Sequence, residues 1–208
     1  MKHVIDILDY GTGSIGSLVN MIKKVGGKAQ VIYTAKEIQN SRKLILPGVG
    51  SFDFGMDNLN KNKLVDALNT AVLQNKIPIL GICLGMQLLV TKSEEGKKMG
   101  LNWIKASVKR FNFSDDKHKD LKVPHMAWNS VKIKQNNLLF KHIVDENRFY
   151  FTHSYHLSGV ALDNIVTETS YGYSFISSIH QDNIYGVQFH PEKSHQYGKQ
   201  VIKNFLEL

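Results

Sequence analysis

The chain has a single cysteine, Cys83, in the run Gly81-Ile82-Cys83-Leu84-Gly85-Met86-Gln87. This is the pattern glycine, any residue, nucleophile, any residue, glycine, directly after an apolar stretch and before a helical one. Such a turn is sharp and strained, and its glycines let the backbone pass where a Cβ would clash. It puts a thiol above the carboxyl end of a strand, at the start of a helix. There the helix dipole favours thiolate over thiol, and the free N–H groups of Leu84 and Gly85 are placed to receive an oxyanion. On this pentapeptide alone, a small buried core cysteine is an equal reading.

A thiolate needs a base, and His190 is the histidine with suitable company. Phe189-His190-Pro191-Glu192 follows the apolar run Ile184 to Phe189. The proline pushes His190 into an extended conformation, where residues i and i+2 point the same way. Glu192 can then share a face with His190, select its tautomer and stabilise imidazolium. Cys83, His190 and Glu192 make a coherent triad, whereas without the cysteine motif His190 reads as a surface histidine at a strand end. A third piece is Pro47-Gly48-Val49-Gly50, also after a strand. Two glycines in four residues suit a close approach to ligand, or a peptide that flips to supply a second oxyanion donor. The Gly-Lys-Ser/Thr ending of a phosphate-binding P-loop is missing, and a plain turn remains open.

The elements that must hold these groups alternate in the first half. Val4 to Leu8 reads as a buried strand. Ile15, Leu18, Val19, Ile22 and Val25 recur at helical spacing, with Ser14 as N-cap and Gly26-Gly27 as the stop. Ala29 to Tyr33 is a strand, and Thr34 with Glu37 has capping-box spacing. Lys43 to Leu46 is a third strand, halted by Pro47. Leu64, Val65, Leu68, Ala71 and Val72 mark another helix, and Pro78 to Ile82 a fourth strand. The expectation is an α/β fold with a mostly parallel central sheet covered by helices on both faces. In the second half, short β-rich runs begin at Ser107, Ser130, Arg148, Ile165, Ser174 and Ile184, which suits added antiparallel strands. Val201, Ile202, Phe205 and Leu206 predict a closing helix. The polar segment from Asn112 to Lys122 reads as an exposed loop.

The chain has 208 residues, of which 42% are hydrophobic and 21% charged. These values predict one globular domain over residues 1–208 with one core, and exclude disorder. No run approaches the roughly 20 apolar residues of a membrane span, and the N-terminus lacks the plan of a signal peptide, so a cytoplasmic protein is expected. One cysteine excludes an intramolecular disulfide and a cysteine zinc cluster, and neither a metal nor a cofactor is expected. Of the net charge of +8, +5 lies between Lys105 and Arg148, with ten Lys or Arg against five Asp or Glu. These charges are dispersed and carry no nucleic-acid-binding signature, so no nucleic-acid partner is expected. A solvated face or a docking face for an acidic protein is the better reading.

Taken together and in this order, Pro47 to Gly50, Gly81 to Gln87 and His190-Pro191-Glu192 resemble the class I, triad-type glutamine amidotransferases. The resemblance runs from Asp9-Tyr10-Gly11 to the end of the chain. Ser93-Glu94-Glu95-Gly96, Pro124 to Asn129, His153-Ser154-Tyr155 and Gln188 to Ser194 are similar to one branch, the glutaminase subunits of imidazole glycerol phosphate synthase. The resemblance implies a flavodoxin-like fold in which Cys83 attacks the side-chain amide of L-glutamine. His190 protonates the departing ammonia and then activates water, and Glu192 orients His190. Leu84 and, after a peptide rearrangement, Val49 and Gly50 hold the oxyanion. Gly48, Gly50, Gln87, Glu95, Ser154 and Tyr155 match glutamine-binding positions, with Glu95 suited to the substrate ammonium and Gln87 to its carboxylate or amide. Ammonia then passes to a partner (βα)8-barrel cyclase in a heterodimer, which makes imidazole glycerol phosphate and aminoimidazole carboxamide ribonucleotide for histidine synthesis. Trp128 and Lys193 match the interface with that partner.

One departure is Ala127, where the branch usually has glycine. The long Asn112 to Lys122 loop, with Asp9-Tyr10-Gly11 and Leu101 to Ile104, is also similar to paralogues that supply ammonia for amidino-sugar synthesis in surface polysaccharides, the alternative reading. A cysteine hydrolase without a partner and a catalytically silent subunit are the remaining classes.

Overall fold

The computed structural model describes residues 4–13, 15–114 and 118–208. The first half alternates as its apolar pattern predicts. In order come β1 (Val4–Leu8), α1 (Ile15–Lys24), β2 (Lys28–Ile32), α2 (Ala35–Asn40), β3 (Leu44–Gly48), α3 (Phe52–Lys61) and α4 (Val65–Asn69), which runs on into one π turn, then β4 (Ile79–Cys83) and α5 (Leu84–Leu88). β2, β1, β3 and β4 lie side by side, all parallel. Successive side chains of a strand point to opposite faces, so these strands feed two cores. Ile5, Ile7, Ile45, Leu80 and Ile82 pack with Leu18 and Ile22 of α1. Leu8, Leu44, Leu46 and Ile79 pack with Phe52, Met56 and Leu59 of α3. The single core expected from chain length is therefore two apolar layers, one on each face of the sheet.

The second half supplies β5 (Val90–Ser93), β6 (Ile104–Arg110), β7 (His125–Asn129), β8 (Lys132–Ile133), β9 (Phe149–His153), β10 (Tyr155–Ser158), β11 (Ile165–Tyr171), β12 (Tyr173–Gln181), β13 (Ile184–Val187) and α6 (His195–Glu207). β13 joins β4 in parallel and β12 joins β13 antiparallel, so the late strands extend the parallel sheet. β10, β6 and β5 continue one path beyond β12, while β11 pairs β12 separately and carries β8. β7 and β9 form a separate antiparallel ribbon. Val201, Ile202 and Phe205 of α6 close the same core as α1.

The capping box is present at Thr34: its Oγ1 accepts from Glu37 N–H at 3.3 Å, and Glu37 Oε2 accepts from Thr34 N–H at 2.9 Å. Ser14 and residues 115–117 of the loop lie outside the described residues. Three expectations need correction. Pro47 does not halt β3 but pairs with Ile82 inside it. This is tolerated because β1 pairs with β3 only as far as Ile45, so no strand flanks Pro47 on that side. The stretch after Pro47 holds a full helix, α3, whose one glycine and two asparagines among ten residues obscure its apolar stripe. β5, β7 and β10 lack strand punctuation and have no counterpart among the runs read from the sequence; they are four, five and four residues long. Among the described residues no helix is long and apolar enough to cross a membrane.

Candidate active site

Cys83 ends β4 and leads into α5 with φ 54° and ψ −110°, a backbone region that costs a non-glycine residue on the order of 1–3 kcal/mol. Its neighbours make the turn possible. A Cβ on Gly81 would lie 2.8 Å from the Gly85 carbonyl oxygen, and one on Gly85 would collide with the carbonyl oxygen of Leu46. The turn is therefore wedged against β3, with Gly48 in register with Cys83. This differs from the expected oxyanion pair in one respect. Leu84 lines the adjacent cavity, but Gly85 packs onto β3 and does not.

The cavity has a volume of about 270 Å³ and is lined by Val49, Gly50, Cys83, Leu84, Gln87, Glu95, Pro124, Thr152, His153, Ser154, Tyr155 and His190. Nearly every residue singled out for catalysis, oxyanion binding or glutamine binding is thus on one wall or another. Gly48 lies behind the wall instead. A Cβ there would sit 2.7 Å from the Tyr10 hydroxyl oxygen and 2.9 Å from Leu84 Cβ. Gly50 has φ 122°, which suits glycine, and Val49 beside it is 51% exposed.

His190 reaches the cavity because the chain leaves the sheet after β13. Its N–H donates to the Tyr150 carbonyl at 2.9 Å, which ties the segment to β9. Glu192 follows in a short 3-10 turn, and its Oε1 lies 2.8 Å from His190 Nδ1, both side chains being buried. His190 Nε2, the other ring nitrogen, has no hydrogen-bond partner. Burial alone would pull the His190 pKa down. Cys83 and Glu192 outweigh burial and raise it from 6.5 to about 10. No hydrogen bond of ordinary geometry joins Nε2 to Cys83 here, so closeness to the sulfur, together with the carboxylate, holds the proton on the ring.

Glu95 is fixed from behind. Its Oε2 accepts the N–H of Phe52 at 2.8 Å and so serves the N-terminus of α3, where Ser51 makes no side-chain cap. Asp53 of α3 returns the favour by accepting the N–H groups of Lys97 and Lys98 at 2.9 and 3.0 Å. Gln87 is also held. Its Nε2 donates to the Tyr155 carbonyl at 3.1 Å and to Gln188 Oε1 at 3.0 Å. Both amide hydrogens are thereby used, and the free end is the acceptor Oε1. That end suits a donor such as a substrate amide or ammonium and not a carboxylate, which sharpens the expectation for this residue.

Residues to which the sequence reading gives no role also shape the site. Thr152 and His153 come from the end of β9 and Pro124 from just before β7. His153 Nδ1 donates to the Tyr155 carbonyl at 2.7 Å, and His125 Nδ1 lies 3.1 Å from His153 Nε2. Burial lowers His125 to about 4 and His153 to about 3, so both are neutral at physiological pH. Pro124, His125 and His153 lie within runs that resemble the glutaminase branch, but no role for them is readable until β7 and β9 pair.

Trp128 and Lys193 lie beyond the cavity. In the β7–β9 ladder Trp128 faces Tyr150, two pairs along from the pair of Met126 with cavity-lining Thr152. Trp128 stacks on His195 with ring centroids 5.0 Å apart, and Lys193 Nζ sits 5.5 Å over the Tyr150 ring. Met126 and Trp128 share one face of β7 and are 62% and 42% exposed. Ala127 alternates to the other face, opposite Phe151 in the ladder.

Comparison with known proteins gives a consistent picture. Residues 6–208 match the family described as glutamine amidotransferase class-I. Imidazole glycerol phosphate synthase subunit HisH 2 of Methanococcus maripaludis is 48% identical over 98% of this chain and 99% of its own. The protein of the same name from Pseudomonas aeruginosa is 45% identical, over 99% of this chain and 100% of its own. In fold, the structure of PurLQS from Thermotoga maritima covers 100% of this chain and 99% of its own with a TM-score of 0.74, at 16% identity.

Proposed function

The chain belongs to the class-I glutamine amidotransferase family, and from that premise we propose that it is the glutaminase subunit of an imidazole glycerol phosphate synthase. The observation that carries the reading is the setting of its only thiol. Cys83 stands on a strained turn in the wall of a cavity that His190 also lines, and His190 is paired with buried Glu192.

The chemistry follows from these positions. His190 already holds the proton as imidazolium, and Cys83 Sγ attacks the side-chain amide carbon of L-glutamine as the thiolate. The oxyanion forms beside the N–H of Leu84, with Val49 and Gly50 supplying the second donor after their peptide turns. His190 Nε2, free of other partners, protonates the departing ammonia. A thioester remains. His190 then takes a proton from water, which attacks the thioester and releases glutamate. Glu192 keeps the tautomer and stabilises the imidazolium throughout. Glu95 receives the ammonium of the substrate, Gln87 Oε1 a donor group, and Ser154 and Tyr155 complete the wall. Gly48 acts indirectly, by letting β3 lie close under the loop.

The ammonia goes to a (βα)8-barrel cyclase. Exposed Val49, Met126 and Trp128 near the cavity, with Lys193 beside them, suit a docking face with an apolar centre and a basic rim. The methyl of Ala127 faces away from this surface and leaves its geometry intact. The full-length relatives named for imidazole glycerol phosphate synthase favour the histidine route over amidino-sugar synthesis. Ammonia transfer to one barrel from each pathway tests this: imidazole glycerol phosphate should form with the histidine-pathway barrel, and transfer only to the amidino-sugar barrel would overturn it. Lys193→Glu should weaken association severalfold and steepen its salt dependence; an unchanged affinity in a titration would remove Lys193 from the interface.

A further inference from the structure

Gln188 is fully buried two residues before His190, and its backbone N–H donates to the Ser177 carbonyl at 2.9 Å. The chain bends just after β13, which brings Gln188 onto the sulfur of Cys83 and His190 into the cavity that Cys83 lines. Gln188 Nε2 donates to Cys83 Sγ at 3.6 Å, while its Oε1 accepts from Gln87 Nε2 at 3.0 Å. The direction of these bonds is not arbitrary. A carbonyl only accepts, so the Tyr155 carbonyl fixes the amide of Gln87, and Gln87 fixes the amide of Gln188 with its nitrogen on the sulfur. The same carbonyl accepts from His153 Nδ1, which leaves His153 Nε2 to accept from His125 Nδ1. His125 Nε2 then faces Asn129 Nδ2 at 3.5 Å. The Tyr155 carbonyl thus sets the orientation of Gln87 and Gln188 on one side and of His153 and His125 on the other.

We propose that Gln188 is a further catalytic residue, whose amide N–H stabilises the Cys83 sulfur whenever it carries negative charge, and that Gln87 is the positioning residue that holds it there. Hydrogen bonds to charged acceptors are roughly twice as strong as neutral ones. The sulfur is charged twice in a cycle, before attack on glutamine and again when water displaces it from the thioester. His190 changes its protonation between these moments. The amide of Gln188 does not titrate and serves at both. The ionisable groups that act on this centre are His190 and Glu192 after β13, Tyr10 after β1 and His153 from β9; Gln188 is the neutral donor among them.

The inference rests on Cys83 being the nucleophile, and its test is separate from glutamine turnover. With one thiol in the chain, the rate of iodoacetamide alkylation against pH reports Cys83 alone. Gln188→Glu keeps the volume and the acceptor for Gln87 but removes the donor, and Gln188→Leu removes both. Each should move the alkylation midpoint up by about one pH unit, roughly a tenfold slower reaction at neutral pH. Gln87→Leu should move it in the same direction by less. Near-ultraviolet circular dichroism checks the fold of each variant. An unchanged midpoint in folded Gln188→Glu overturns the proposal, as does a loss of glutaminase activity in Gln188→Leu with the midpoint unmoved, which marks a packing role. Glutamate release surviving in Cys83→Ala would instead sink the underlying glutaminase reading.

Discussion

Two sets of buried histidines, His190 in the cavity wall and His153 backed by His125, behave in opposite ways. His190 is raised to about 10, whereas His125 and His153 are lowered to about 4 and about 3. Burial acts on all of them in the same sense, against the charged ring. What differs is company. His190 has the carboxylate of Glu192 at 2.8 Å and the sulfur of Cys83 nearby. His153 has only a carbonyl and another imidazole, and the charge of His190 lowers it further. The site therefore holds one cation where several histidines converge, and that cation is the one able to hand a proton to ammonia.

Glu192→Gln should have the largest effect on His190. With one of its two supporting groups gone, His190 should move down toward its neutral neighbours, and kcat for glutamate release should fall by about a thousandfold. The pH profile of kcat checks it: a fall in rate with no displacement of the profile would mean that Glu192 acts only by packing.

A smaller effect concerns stability. In the unfolded chain each histidine takes a proton near 6.5, but folded His125 and His153 resist until about 4 and about 3. The unfolded state binds more protons in that window, so stability should decline as pH falls from about 6.5 toward 3. His190 has the opposite sign: its contribution is present below about 6.5 and is lost as pH rises through about 10. Urea unfolding from pH 8 to pH 4 measures the acid limb, and a flat profile would contradict the assignment of neutral buried rings.

The smallest effect sharpens the neutral side of the comparison. His125 stacks between Tyr171 and Phe151, at centroid distances of 4.1 and 5.0 Å. His125→Phe can keep that stacking while removing a group that resists protonation. It should lose about 1–2 kcal/mol at pH 8 through the missing hydrogen bond, yet decline less steeply in acid. Equal slopes for variant and wild type would place the acid sensitivity elsewhere.

Legibility in the sequence followed the same division. Cys83, His190 and Glu192 announced themselves because a nucleophile turn needs glycines at fixed positions and because a proline marks the extended base. The parallel half was readable because strands buried on both faces are continuous apolar runs, and Thr34 with Glu37 named its own cap. His125, His153 and Gln188 fall inside runs that resemble the glutaminase branch, but their roles are not readable there. Their roles depend on which strands pair and on which carbonyl fixes a tautomer, and both are tertiary facts. Pro47 misled for a related reason: a proline halts a strand only where a neighbour needs its N–H, and there β1 has already ended. The helix α3 is hidden because Gly55, Asn58 and Asn60 have poor helix propensity, and packing of Phe52, Met56 and Leu59 overrides it.

The central claim is that Cys83 cleaves glutamine and that a partner governs the rate. It is tested most directly by glutamate release from glutamine, measured for wild type and Cys83→Ala, each alone and with the cyclase and its acceptor. Wild type alone should release glutamate weakly and be strongly stimulated in the complex, and Cys83→Ala should release none although it still assembles. Release that survives in Cys83→Ala, or full activity of wild type without any partner, would contradict it.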